Sequence, residues 1–336
     1  VTDTATGAIL PFEQTLASEW NVVGDAKNMR VPDDIPNDVW PYGPGKYRFY
    51  VADLRPGEKK KYELANVKNI SRKPVKASRY FKPVLDNGTG TINNIVYLPL
   101  NKLLFDEKTG QKPAELIVER PQGAYSRTAM DERKYDSNKF LRSSPEVIKH
   151  AQEDSNYALR YASVLQEPFA RRIEQQWDIF DSTPRIEITT TIWMKENLDA
   201  LAVYMAFPFS IKSPRVFYDS MGSEVEAGVD QLPNTCGEFN TVQNGIRYKG
   251  EDISLSLTTL DSPMGIFDEI IRGRFRPVFK PQTGRFYNII CQNYWLTNFA
   301  VLQPVKIITR HVIECDMADK DVFPVESTEL WAYPSV

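Results

Sequence analysis

Two runs of this chain concentrate the residue types that recognise polar, ring-shaped ligands. Asp230-Gln231-Leu232-Pro233-Asn234 is the first, and Asn293-Tyr294-Trp295-Leu296-Thr297-Asn298-Phe299 is the second. Carboxamides offer a donor and an acceptor side by side, which matches vicinal hydroxyls, and Tyr or Trp offers a flat apolar face for stacking. That pairing suits a sugar. The binding candidates are therefore Asp230, Gln231, Asn234, Asn293, Tyr294, Trp295 and Asn298. A plainer account stands beside this one: Trp295 and Phe299 pack inward at strand alternation while the amides satisfy loop backbone.

Reactive groups are sparse. The chain has two histidines, His150 and His311, and neither has a second imidazole at metal-binding spacing, so no metal site is expected within it. Among its 44 acidic residues spacing picks out no pair that could act across a glycosidic bond. Asp230, Asp261 and Asp268 draw attention because each lies close to Pro, Gly or an amide rather than in a charged surface run, although Asp in that setting commonly closes a turn. His311 with Glu314 is the one acid and base pair close in sequence, and a separation of three puts them on opposite faces of a strand. G-x-S-x-G, phosphate-loop, dinucleotide and H-E-x-x-H motifs are all missing. Cys236, Cys291 and Cys315 form no C-x-x-C and read as small buried hydrophobes. Arg272, Arg274, Arg276 and Arg285, interleaved with Phe275, Phe279 and Phe286, read as a solvated strand face with long aliphatic stems, the alternatives being a platform for an anionic ligand and the contact face for a missing domain.

The elements that position these residues are strands. Lys46 to Leu54 and Lys60 to Leu64 alternate and are separated by Arg55-Pro56-Gly57-Glu58, which predicts a hairpin. Arg172 to Phe180, Arg185 to Trp193, Ala200 to Phe207, Ile253 to Thr258 and Val305 to Ile313 continue the pattern. In the second of these, Ile186, Ile188, Thr190 and Ile192 fall on one face, the signature of a half-buried antiparallel strand. Between Thr128 and Gln166 the sequence predicts a long surface excursion, with Ser144-Pro145-Glu146 capping a short helix through His150. At 336 residues with 23 prolines among the turns, the whole argues for a sandwich. The net charge of -3 with dispersed Lys and Arg gives a nucleic-acid partner little support, and no window is apolar enough for a membrane span. Val1 in place of an initiator Met reads as an excised or processed product.

From Phe81 onward the order of motifs resembles the C-terminal β-sandwich region of glycoside hydrolase family 38, the α-mannosidases. The resemblance is carried by Leu85-Asp86-Asn87-Gly88-Thr89-Gly90-Thr91-Ile92-Asn93-Asn94-Ile95, by the hairpin around Trp177 to Ile192, and by Ala206-Phe207-Pro208-Phe209. Asp230 to Asn234, Val242-Gln243-Asn244-Gly245-Ile246, Leu260-Asp261-Ser262-Pro263-Met264 and Asn293 to Phe299 follow in order. Tyr47 to Leu64 looks like the close of the small β-domain that precedes the sandwich in such enzymes. The resemblance implies an all-β chain: a small incomplete β-domain over 1–70, then a large antiparallel supersandwich of the galactose mutarotase-like type over 71–336. It further implies carbohydrate as ligand, and the parent's N-terminal catalytic barrel and helical domains as partners. Zinc and the catalytic Asp would belong to that barrel, leaving this chain without catalytic residues and inactive alone. The alternatives are a free-standing carbohydrate-binding or structural module, and an aldose epimerase.

Overall fold

The computed structural model describes residues 2–6, 12–15, 46–49, 58–63, 74–122, 140–235, 237, 239–259, 261–270, 279–293 and 306–316. Four short strands come first: β1 (Thr2–Asp3), β2 (Phe12–Thr15), β3 (Lys46–Phe49) and β4 (Tyr62–Glu63). β1 pairs with β4 and β2 with β3, both antiparallel. The expected hairpin of Lys46 to Leu54 with Lys60 to Leu64 is thus corrected. Alternation marks a segment as a strand, but it does not choose the partner, and each segment here pairs with an earlier one.

The strands from Phe81 onward build the sandwich. They are β5 (Phe81–Leu85), β6 (Ile92–Tyr97), β7 (Lys102–Leu103), β8 (Glu115–Pro121), β9 (Phe140–Ser143), β10 (Glu146–Glu153), β11 (Ala158–Gln166), β12 (Ala170–Phe180) and β13 (Arg185–Met194). There follow β14 (Ala202–Phe209), β15 (Arg215–Ser220), β16 (Ser223–Glu226), β17 (Asn240–Thr241), β18 (Gly245–Lys249), β19 (Ser254–Thr259), β20 (Met264–Phe267), β21 (Gly284–Gln292) and β22 (Lys306–Asp316). A nine-stranded sheet runs β10-β11-β12-β13-β22-β19-β18-β15-β16, and a six-stranded sheet runs β17-β20-β21-β14-β8-β9. β5, β6 and β7 form a third, three-stranded sheet. Every pairing is antiparallel, so among the described residues the architecture is all-β and antiparallel, as strand periodicity predicts, and of the supersandwich kind that the resemblance implies.

The expected excursion and helix between Thr128 and Gln166 are corrected where the residues are described. Glu146–Glu153 is a strand, paired along its length with β11 and carrying a bulge between Val147 and Lys149. Pro145 holds Ser144 in extended backbone, and β-branched Val147 and Ile148 favour a strand once a partner is present, which outweighs a weak capping signal. β10 is an edge, and its Glu146, Lys149 and Glu153 are exposed, as charges on an edge discourage further pairing. The charged stretch Met130 to Lys139 lies outside the described residues.

Between the two large sheets sits the main core. Ile173, Trp177, Ile179, Ile186, Ile188, Ile192, Ile246, Leu257 and Ile313 come from the nine-stranded sheet; Leu116, Val118, Val203, Met205, Phe207 and Phe286 come from the six-stranded one. Phe81, Ile92, Ile95 and Tyr97 of the three-stranded sheet join the same cluster. All eight residues of β14 are buried, because its other face, with Ala202, Tyr204 and Ala206, packs in a second cluster with Ile117, Ile266 and Tyr287. β8 pairs with this strand only as far as Ala206; beyond it Phe105 makes an isolated bridge with Phe209, and Pro208 contributes its carbonyl, which accepts from the Asp106 amide at 2.8 Å.

Candidate functional site

The loop carrying Asp230, Gln231 and Asn234 follows the edge strand β16. It begins as a tight turn: the Val229 and Asp230 amides donate to Glu226 O at 3.0 and 3.1 Å, and the Glu226 amide donates to Asp230 Oδ2 at 2.7 Å. Gly228 takes φ +73°, and a Cβ there would stand 2.0 Å from Phe279 O, so the loop is pressed against the backbone that leads into β21. Only glycine meets both conditions. The Gly228 amide donates to Gln231 Oε1 at 3.1 Å, and Gln231 Nε2 reaches Asn240 Oδ1 at 3.3 Å. A second turn closes where Thr235 N and Oγ1 donate to Leu232 O at 3.2 and 2.7 Å. Asn234 adopts φ +65°, a conformation Asn tolerates, and its exposed side chain makes no hydrogen bond to a described residue. Val229 and Leu232 are also exposed, the latter at 75%. The loop therefore offers solvent an apolar surface beside one uncommitted carboxamide.

Asn293 is differently employed. Its Oδ1 accepts from Leu201 N at 2.7 Å, its Nδ2 donates to Asp199 O at 3.0 Å, and its own amide donates to Leu201 O at 3.0 Å. Those bonds pin the end of β21 to the start of β14. Tyr294, Trp295 and Asn298 lie outside the described residues. The structure does not bring Asn293 beside the first loop: Gly228 contacts Phe279, just before the Gly284 end of β21, whereas Asn293 follows its opposite end. Nine strand residues separate ends by roughly 25–30 Å.

The three singled-out aspartates are all engaged. Asp261 forms a two-point pair with Arg310, at 2.7 and 2.9 Å, and the carboxylate raises the guanidinium pKa further. Asp268, at φ +64°, accepts from Gln282 N, Thr283 N and Thr283 Oγ1 at 2.9, 2.9 and 2.6 Å. Asp261 and Asp268 flank β20 at its two ends, too far apart to act across one bond, which needs about 5–9.5 Å.

His311 sits on the inner face of β22, 1% exposed. Its Nε2 is 2.8 Å from Asn288 Oδ1 on β21, a bond that crosses from one sheet to the other. Asn288 Nδ2 donates to Ser262 O at 2.9 Å and Met264 O at 2.8 Å, so its oxygen must face the imidazole and His311 must carry its proton on Nε2. Burial pushes the His311 pKa down to about 3, with the Asp261 charge acting weakly the other way. Glu314 occupies the opposite face of the strand, where it accepts from Arg185 at 2.7 Å. An acid and base pair from these two is therefore not assembled. His150, on the edge strand, meets Ser163 Oγ at 2.9 Å and stacks on Tyr161. Partial burial lowers its pKa.

Among the described residues no group of three or more His, Cys, Asp or Glu side chains is placed to hold a metal ion, and no helix is long and apolar enough to cross a membrane. Cys315 is buried, and burial pushes the Cys291 thiol up to about 12, so the Cys291 thiol stays protonated; Cys236 lies outside the described residues. Sequence reading missed Asn288 and Ser262. The hint was present: an amide at the centre of an apolar strand, Gly284–Gln292, must find partners inside the protein.

Two solved structures contain the same fold within larger chains. An alpha-mannosidase from Enterococcus faecalis V583 matches with TM-score 0.50 and 9% identity over 80% of this chain and 32% of that one. A protein in the glycosyl hydrolase family 38, also from Enterococcus faecalis, matches with TM-score 0.51 and 10% identity over 82% of this chain and 34% of its own. A galactose mutarotase-like protein from Lactobacillus casei ATCC 334 matches with TM-score 0.39 and 11% identity, over 73% and 99% of the two chains. No protein-family profile and no curated protein sequence matches. This chain thus spans about a third of the length of the two Enterococcus structures, and it shares the architecture of that portion of them.

Proposed function

We propose that this chain is the β-sandwich portion of an α-mannosidase-like glycoside hydrolase, with a small β-domain ending near residue 70. It buttresses the catalytic domain of that parent and lends loops to carbohydrate binding. The observation that supports this reading is the shared architecture over four fifths of the chain with two structures of which it spans only about a third. Zinc and the reacting carboxylates would be supplied by the parent's catalytic domain. The described side chains do not suit a zinc site, since the aspartates near the candidate loops are committed to Arg310 and to backbone amides. Purified chain supplied with zinc is expected to release no nitrophenol from a nitrophenyl mannoside above a buffer control. Metal-dependent turnover would overturn the proposal.

A second reading, a free-standing carbohydrate-binding module, draws on the projecting loop from Val229 to Thr235 with its uncommitted Asn234. It predicts saturable binding of mannose oligosaccharides in calorimetry, weakened about tenfold in Asn234→Ala, the loss of one good hydrogen-bonding group. Under the first reading the isolated chain shows no saturable binding.

A further inference from the structure

The inner face of the nine-stranded sheet carries one cross-strand row of polar side chains inside an otherwise apolar core. Register sets His150 opposite Ser163, Ser163 opposite Gln175, Gln175 opposite Thr190 and Thr190 opposite Thr309. Two residues along β22, His311 stands opposite Thr259. The half-buried end of this row is satisfied. His150 bonds Ser163, and Gln175 Nε2 donates to Thr190 Oγ1 at 3.2 Å and Ala114 O at 2.9 Å while its oxygen accepts from Trp177 Nε1 at 3.0 Å.

The deep end is not. Thr259 Oγ1, Thr309 Oγ1 and His311 Nδ1 have no hydrogen-bond partner among the described residues. The three residues are 0%, 2% and 1% exposed, and all face the six-stranded sheet. Buried polar atoms are rarely left unmade, and three of them within neighbouring positions of two adjacent strands supply the number of partners that one internal water needs.

We infer that Thr259, Thr309 and His311 line a buried hydration site between the two sheets. The occupant is fixed by chemistry. Because Asn288 holds the proton on Nε2, His311 Nδ1 can only accept, so the occupant must donate to it; the threonine hydroxyls then accept from it or donate to it. Water satisfies all three. An anion would meet the bare Nδ1 lone pair unfavourably, and a cation would find no carboxylate among these groups.

Oxygen-17 magnetic relaxation dispersion counts long-lived internal waters in the intact chain. Thr309→Val and Thr259→Val keep side-chain shape while removing a hydroxyl. Each is expected to reduce the long-lived amplitude by about one molecule and to lower Tm by about 1–2 °C, the shift that losing one such bond gives in a chain of this size. Unchanged dispersion amplitude in both variants would overturn the inference. So would a raised Tm, because deleting a dry, unpartnered hydroxyl stabilises a core.

Discussion

The two histidines occupy the same face of the same sheet and differ only in depth. His150 lies on the edge strand, half-buried, and shares a hydrogen bond with a neighbouring serine. His311 lies on the central strand, where its bond to Asn288 is one of the few polar links between the two sheets that the apolar core permits. The comparison teaches that position across the sheet, more than residue type, decides whether an imidazole is a surface group that titrates or a structural donor held neutral.

Removing the deep partner is the most forceful way to break that contrast. Asn288→Ala leaves His311 Nε2–H, Ser262 O and Met264 O without their partner, and is expected to cost about 3–4 kcal/mol, read from urea midpoints. A loss below about 1 kcal/mol would mean that the sheets are held together without this amide.

Acid titration sharpens the same comparison. His311 binds its proton near pH 6.5 when unfolded but only near pH 3 when folded, so below pH 6.5 the unfolded state takes up a proton that the native state refuses. Stability should fall with decreasing pH by about 1.4 kcal/mol per unit across that window, or about 2 kcal/mol by pH 5. His311→Gln should flatten the slope between pH 6.5 and 5, where carboxylates contribute little. His150 is shifted in the same direction by partial burial, so His150→Gln should change the slope in the same sense but by less.

The neighbouring residue on β22 provides the mildest test. Arg310 points to the other face and pairs with half-buried Asp261, so Asp261→Asn should cost only about 0.5–1 kcal/mol and become still milder in high salt. A larger loss would place that pair, rather than the interior, at the centre of the sheet's stability.

Strand identity was legible where alternation was clean. Arg185–Met194 shows Ile186, Ile188, Thr190 and Ile192 buried, as its spacing requires. Pairing was not legible, since Lys46–Phe49 and Tyr62–Glu63 alternate well yet find partners elsewhere, and partner choice depends on contacts distant in sequence. Glu146–Glu153 was misread because a Ser-Pro-Glu start describes a helix cap locally, while its actual partner, β11, lies beyond an intervening turn. Of the binding candidates, sequence could name the amides but not their occupations. Asn293 is spent on Leu201 and Asp199, Gln231 on Gly228 and Asn240, and Asn234 stays open to solvent. Nothing in residue type distinguishes those three states, because they are set by which backbone groups happen to lie within reach.

The seat of β22 between β13 and β19 carries a consequence for biogenesis. When a ribosome has released everything before Lys306, the strands β10 to β13 and the strands β15, β16, β18 and β19 can each form, yet both present a raw inner edge to the cell. Joining them waits for the last described strand, a long-range closure that is slow by its topology. During that interval the nascent polypeptide is most exposed to chaperones, to neighbouring copies of itself and to aggregation.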